Sequence, residues 1–218
     1  MIYSNLPVCD LRNINSIESA KQIEKIENAI LVIFPNDIDD DIKSAMCSIQ
    51  CQNVVSVIYA DKSDDVIVTN GITEIANYTL NESSIIICNG IMIVDKLSCE
   101  IKGKVYLNGL AAVNESSKDK CKLSLCMVNG MVRNFNFDDY RVYQDTFKLD
   151  CDTLRYLNDN TLLIAGNVLE IADDVSVEML ENKKVILFAG NTIRCSKELS
   201  GYINAKAMAE NGIEIVNE

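Results

Sequence analysis

The 218-residue chain contains no histidine. Imidazole is the side chain that changes charge near neutral pH, so its absence excludes Ser-His and Cys-His nucleophile pairs and a common metal ligand. Enzymes relying on carboxylates, lysine or tyrosine remain open. Proline is nearly absent too, with Pro7 and Pro35 alone, and no Pro-rich or Gly/Ser-rich stretch marks a linker. A single domain over residues 1–218 is therefore expected.

No apolar run reaches the roughly 18 residues of a membrane span. The opening residues Met1-Ile2-Tyr3-Ser4-Asn5-Leu6-Pro7 lack the basic and apolar regions of a secretory signal, which makes the cytoplasm the expected location. Basic residues are few, 20 against 32 acidic ones, for a net charge of −12. Such a field repels phosphate backbones and anionic surfaces, so neither nucleic acid nor a membrane is expected as a partner. Arg12, Arg133, Arg141, Arg155 and Arg194 form no run.

Cysteine is plentiful, with nine residues, but none forms a Cys-x-x-Cys pair. Cys88 and Cys126 lie inside apolar runs, where a thiol behaves as a small hydrophobe, and most of the nine are expected to be reduced core residues. Without histidine or paired thiolates no zinc site is expected, nor any cofactor, because phosphate-cradling Gly-rich loops are missing as well. Asn36-Asp37-Ile38-Asp39-Asp40-Asp41 looks like a calcium loop but lacks the glycine and distal glutamate of one, and reads better as acids at the positive end of a helix.

What the sequence does contain is a repeat: an apolar run, Asn-Gly, then an apolar alternation. Copies occur at Val66–Ile72, Ile85–Ile93, Val105–Leu110 and Leu125–Val132, and in Ala-Gly-Asn form at Leu162–Leu169 and Ile186–Ile193. Gly71, Gly90, Gly109, Gly130, Gly166, Gly190 and Gly212 are separated by 19, 19, 21, 36, 24 and 22 residues. Asn28–Phe34 and Asn53–Tyr59 keep a similar spacing without the glycine.

Helical patterns precede several copies. Asn15 with Glu18 resembles a capping box opening a helix over Ser16–Ile26, and Asp39–Ile49 predicts a second. Asp152–Leu157, Val175–Glu181 and Ser196–Glu210 repeat the scheme towards the C-terminus.

Asn-Gly between apolar runs suits the tip of a β-hairpin, where both central residues need positive φ. It equally suits a bend within one coil of a solenoid, with glycine at positive φ and asparagines stacked from coil to coil. The nearly even spacing favours the second. The expected fold class is an α/β repeat, a single β-solenoid resembling β-helix or leucine-rich-repeat architecture only in the general sense. Its parts are helix-strand repeats over 1–62, β-rich coils over 63–132, an insertion over 133–150 and helix-strand repeats over 151–218. The middle coils have few helices, so a second subunit is expected to cover one face, giving a possible homo-oligomer.

The 36-residue interval supplies the candidate site. Arg133, Phe135, Phe137, Tyr140, Arg141 and Tyr143 interleave aromatics with arginine, the usual content of a protein-binding hot spot, though the same rings also suit a plug for the repeat. No catalytic or metal residue is assigned. The function expected is a non-catalytic scaffold or protein-interaction module with an unidentified protein partner. The alternatives are a carboxylate-dependent carbohydrate-active enzyme on a β-helix and a self-assembling structural protein.

Overall fold

A computed structural model describes residues 1–121, 125–209 and 211–216. The chain packs as two compact units, Met1–Asp65 and Val66–Glu218. Both are rich in strands arranged in parallel sheets, and no sheet closes into a barrel.

The first unit comprises β1 (Ile2–Ser4), β2 (Val8–Asp10), α1 (Ile17–Lys21), β3 (Lys25–Pro35), α2 (Asp40–Cys47) and β4 (Gln50–Ala60). β3 is central, with β1 and β2 paired parallel to its two halves on one side and β4 on the other. α1 and α2 lie side by side on one face, closing a core of Ala20, Ile26, Val32, Phe34, Ile42 and Met46. α1 is shorter than the Ser16–Ile26 pattern predicted. Its cap is Ser16, whose hydroxyl accepts from the Ser19 N–H, rather than Asn15. Ile26 belongs to β3, because pairing with Tyr3 and Cys51 satisfies its backbone on both sides.

The second unit begins with four long strands: β5 (Asp65–Glu74), β6 (Ser84–Val94), β7 (Lys104–Asn114) and, after the short helix α3 (Lys118–Cys121), β8 (Leu125–Phe135). They form one sheet in that order. Asn89-Gly90 pairs in parallel register with Asn108-Gly109, and that pair with Asn129-Gly130. The dipeptides therefore lie in the middle of continuous strands, not at hairpin tips. A Cβ at Gly90 would stand 2.3 Å from the Gly71 carbonyl oxygen, and one at Gly130 1.8 Å from that of Gly109, so stacking admits no side chain.

The remainder folds into shorter strands in two sheets. β9 (Asp139–Tyr143), β11 (Thr161–Ala165), β13 (Ile186–Ala189) and β15 (Met208–Ala209) form one; β10 (Phe147–Leu149), β12 (Val168–Ile171), β14 (Thr192–Cys195) and β16 (Ile213–Ile215) form the other. α4 (Cys151–Tyr156), α5 (Val177–Lys183) and α6 (Lys197–Lys206) alternate with them. α6 stops short of the Ser196–Glu210 pattern because Met208 and Ala209 pair with Phe188 and Ala189; Glu210 lies outside the described residues.

The 133–150 segment is not an inserted loop. Asp139 aligns with Thr161 and Phe147 with Leu169, one full repeat apart, with Gln144-Asp145 standing where the next repeat has Gly166-Asn167.

Three runs of side-chain amides follow the strands. Asn53 donates to Asn28 and Asn28 to Asn5. Asn129, Asn108 and Asn89 each donate to the preceding asparagine, ending at Asn70. Asn211, Asn191 and Asn167 do likewise, ending at Asp145. In the first unit the asparagine itself takes the positive φ, 57° at Asn5, 55° at Asn28 and 52° at Asn53, which is why those repeats need no glycine.

Both faces of the middle strands carry apolar packing within the unit. Ile91, Ile93, Leu110 and Ala112 on one face of β6 and β7 meet Leu162, Ile164 and Phe188 from the later sheets. The opposite face closes on itself through Ile86, Cys88, Met92, Leu107 and Val113. The cysteines divide as well: Cys9, Cys88, Cys121 and Cys195 are buried, Cys47, Cys51 and Cys99 are exposed, and the Cys126 side chain lies outside the described residues.

Candidate interaction surface

The rings singled out in the sequence turn inward. Phe135 and Phe137 are buried, Phe135 against Phe188 at 5.3 Å between centroids and Phe137 edge-on to Tyr140 at 6.0 Å. Tyr143 stacks on Phe147 at 3.7 Å and packs on the core of the short-strand region. Phe135 ends β8 and Phe137 lies in the connection to β9, and both are buried in the core, so neither offers a surface to a partner. Arg133 and Arg141 stay exposed; Arg141 pairs with Asp139 at 3.0 Å, and Arg133 donates to its neighbour's carbonyl. The six do not form one surface.

Carboxylates gather near Tyr140 instead. Burial, together with a hydrogen bond from its hydroxyl to Glu74 and the nearby charges of Asp95 and Asp139, pushes the Tyr140 phenol well above its usual range. Asp139 is also pulled up by burial, but bonds from Asn158, the Tyr140 N–H and Arg141 outweigh this and hold it below the ordinary carboxylate value. Asp95 is buried, and its Oδ1 has no hydrogen-bond partner. Among the described residues no group of three or more acids or cysteines is arranged to hold a metal.

The exposed apolar surface lies elsewhere, on β4. Register pairs Val32 with Val57 and Phe34 with Tyr59. Val32 is 0% and Phe34 8% exposed, yet Val57 is 43% and Tyr59 52% exposed. Ile26, also fully buried, pairs with Cys51, which is exposed. On the opposite face the pattern does not change, since Ile33 and its partner Ile58 are both buried. One face of β4 has thus lost the cover that the same face of β3 has.

The cause is local. α1 and α2 both pack over the face of β3 that carries Ile26, Val32 and Phe34, whereas only Asp61-Lys62-Ser63-Asp64 follows β4, closed as a turn by the Asp64 N–H on the Asp61 carbonyl. Arg12 holds that turn by donating to the Asp61 and Asp64 carbonyls while its guanidinium grips Asp10 at 2.9 Å. No helix is left over for Val57 and Tyr59. A groove of about 270 Å³ results, lined by residues that include Phe34, Met46, Ile49, Cys51, Val57 and Tyr59. Lys43 is its single charged lining residue, and exposed Asp37, Asp39, Asp40 and Asp41 lie in the adjoining chain.

The sequence did not single out this surface. Its signal was Asn53-Val54-Val55-Ser56-Val57-Ile58-Tyr59, an apolar strand followed by no helical pattern. Among the described residues no helix is long and apolar enough to cross a membrane. Compared with family models, with curated proteins and with solved structures, the chain matches none of them.

Proposed function

We propose that the protein is a non-catalytic scaffold, a solenoid of stacked parallel coils, that binds a protein partner on the uncovered face of β4. Support for the solenoid comes from the amide runs and stacked glycines, in which equivalent residues meet one repeat apart. The observation that carries the binding role is the burial difference between Val32 and Val57. A contiguous apolar face on an otherwise charged surface favours association over free exposure.

A neutral, environment-sensitive dye such as Nile red tests whether the face is accessible. The native protein is expected to bind it, and Val57→Asp combined with Tyr59→Ser is expected to abolish binding with an unchanged melting temperature. Undiminished dye fluorescence in the double variant would remove this face from consideration.

A further inference from the structure

Five Asn-Gly dipeptides occur in the chain, at Asn70, Asn89, Asn108, Asn129 and Asn211. The pairing carries a chemical liability: glycine has no Cβ, so its nitrogen can approach the asparagine Cγ closely enough to close a cyclic imide. Closure needs that nitrogen turned towards the side chain, a rotation that an extended, paired strand opposes. Four of the five dipeptides lie within β5, β6, β7 and β8. Asn211-Gly212 alone lies outside the strands, in the link between β15 and β16.

Local bonding sharpens the contrast. Asn89 donates to Asn70 and accepts from Asn108, and Asn108 donates to Asn89 and accepts from Asn129, in strands with neighbours on either side. Asn211 is exposed, with its Nδ2 donating to Asn191 at 2.6 Å and its N–H to the Asn191 carbonyl at 2.8 Å. One repeat earlier, at the position equivalent to Gly212, the Thr192 N–H donates to the Asn167 carbonyl at 3.2 Å. The Gly212 N–H has no acceptor among the described residues, and the space where its Cβ would stand is open. The attacking nitrogen is thus free of the sheet.

We propose that Asn211 is a site of spontaneous deamidation that releases β16. The Gly212 nitrogen gives its proton to solvent base and attacks Asn211 Cγ; the new C–N bond expels Nδ2 as ammonia and leaves a succinimide. Water then opens the ring at either carbonyl to give aspartate or isoaspartate, with no oxidant or reductant needed. Either product loses the donor that holds Asn191. Isoaspartate also lengthens the main chain just ahead of Gly212, whose carbonyl accepts from the Ile193 N–H at 3.2 Å. Beyond that point Ile213 packs on the core, Glu214 pairs with Arg194 at 2.7 Å and the Val216 N–H reaches the Cys195 carbonyl at 3.0 Å. All three contacts depend on the register that the reaction disturbs.

The full chain is incubated at mildly alkaline pH, and peptide mapping by tandem mass spectrometry follows amide-to-acid conversion at all five asparagines. Asn211 should convert at least about tenfold faster than Asn89 and Asn108, whose reaction must wait for local opening of the sheet. In concentrated urea the five rates should converge. Hydrogen exchange reads the release: amides of β16 should exchange about fivefold faster in aged protein, and likewise in fresh Asn211→Asp, which lacks the same donor. Position 211 is exposed, so this variant is expected to fold, which circular-dichroism melts verify. Exchange in Asn211→Gln, whose longer side chain closes a ring far less readily, should not change on ageing.

Conversion at Asn211 no faster than at Asn89 and Asn108 overturns the proposal. The same preference persisting in urea also overturns it, because selectivity would then lie in the local sequence and not in the fold. Conversion at Asn211 with unaltered exchange in β16 leaves the modification and defeats the release.

Discussion

A Cβ placed on Gly109 would stand 2.1 Å from the carbonyl oxygen of Gly90, one repeat earlier. Gly109 also has a φ of 138°, so replacement by alanine adds backbone strain to a collision with main chain that cannot rotate away. Gly109→Ala should cost about 3–5 kcal/mol in urea denaturation. Gly201, exposed within α6 with nothing near its Cβ position, provides the opposite case: Gly201→Ala should stabilise by about 0.5–1 kcal/mol.

The amide runs predict an asymmetry between two isosteric changes. Asn108 donates to Asn89 and accepts from Asn129. Asn108→Asp keeps the acceptor, removes the donor and sets a carboxylate against a carbonyl oxygen, so it should cost about 1–2 kcal/mol. Asp145 only accepts, from Asn167, and asparagine can do the same. Asp145→Asn should therefore change stability by no more than about 0.5 kcal/mol, as thermal melts would show.

Burial pulls Asp10 up, but hydrogen bonds from Arg12 and the Arg12 charge outweigh it and leave the carboxyl below its ordinary value. A depressed folded-state value means that the pair's contribution is complete above the unfolded carboxylate pKa of about 3.9 and is lost as pH falls through the lower folded value. Because the pair is partly exposed, that contribution is about 1 kcal/mol or less. Asp10→Asn should thus be less stable than the parent at pH 7, and the difference should shrink progressively below about pH 4 in urea titrations at matched ionic strength.

Phe137 was one of the six residues of the candidate surface read from the sequence. Buried beside Tyr140, with its carbonyl accepting from Asn114 at 2.7 Å, it acts in the core. Phe137→Ala should cost about 3–5 kcal/mol by chemical denaturation. Any loss of association in that variant should follow the unfolded fraction, whereas in Val57→Asp it should occur with the fold intact.

The strand-rich, parallel character of the chain and several of its helices were legible in the sequence. Recurrent Asn-Gly marked positions where glycine takes positive φ, and Ala-Gly-Asn marked positions at Gly166 and Gly190 where a Cβ would meet the preceding backbone at 2.2 and 2.1 Å. The helices α4, α5 and α6 were recognisable within a few residues. The repeat over 139–149 was not, since Gln144-Asp145 performs the task of Gly-Asn without resembling it. α1 was overestimated because Ile26 fits a helical stripe and a paired strand equally well.

The uncovered face of β4 was legible least of all. Periodicity establishes that Val57 and Tyr59 lie on an apolar face, as Val32 and Phe34 do, and local sequence determines that a turn rather than a helix follows Ala60. Whether an apolar face is core or surface depends on what packs over it, and that is a property of distant elements brought together. Backbone conformation and repeat spacing were thus written in the sequence by itself. Burial of Phe137 and exposure of Tyr59 were decided only by tertiary structure, because hydrophobic burial has no direction along the chain and is resolved by the partner each face finds.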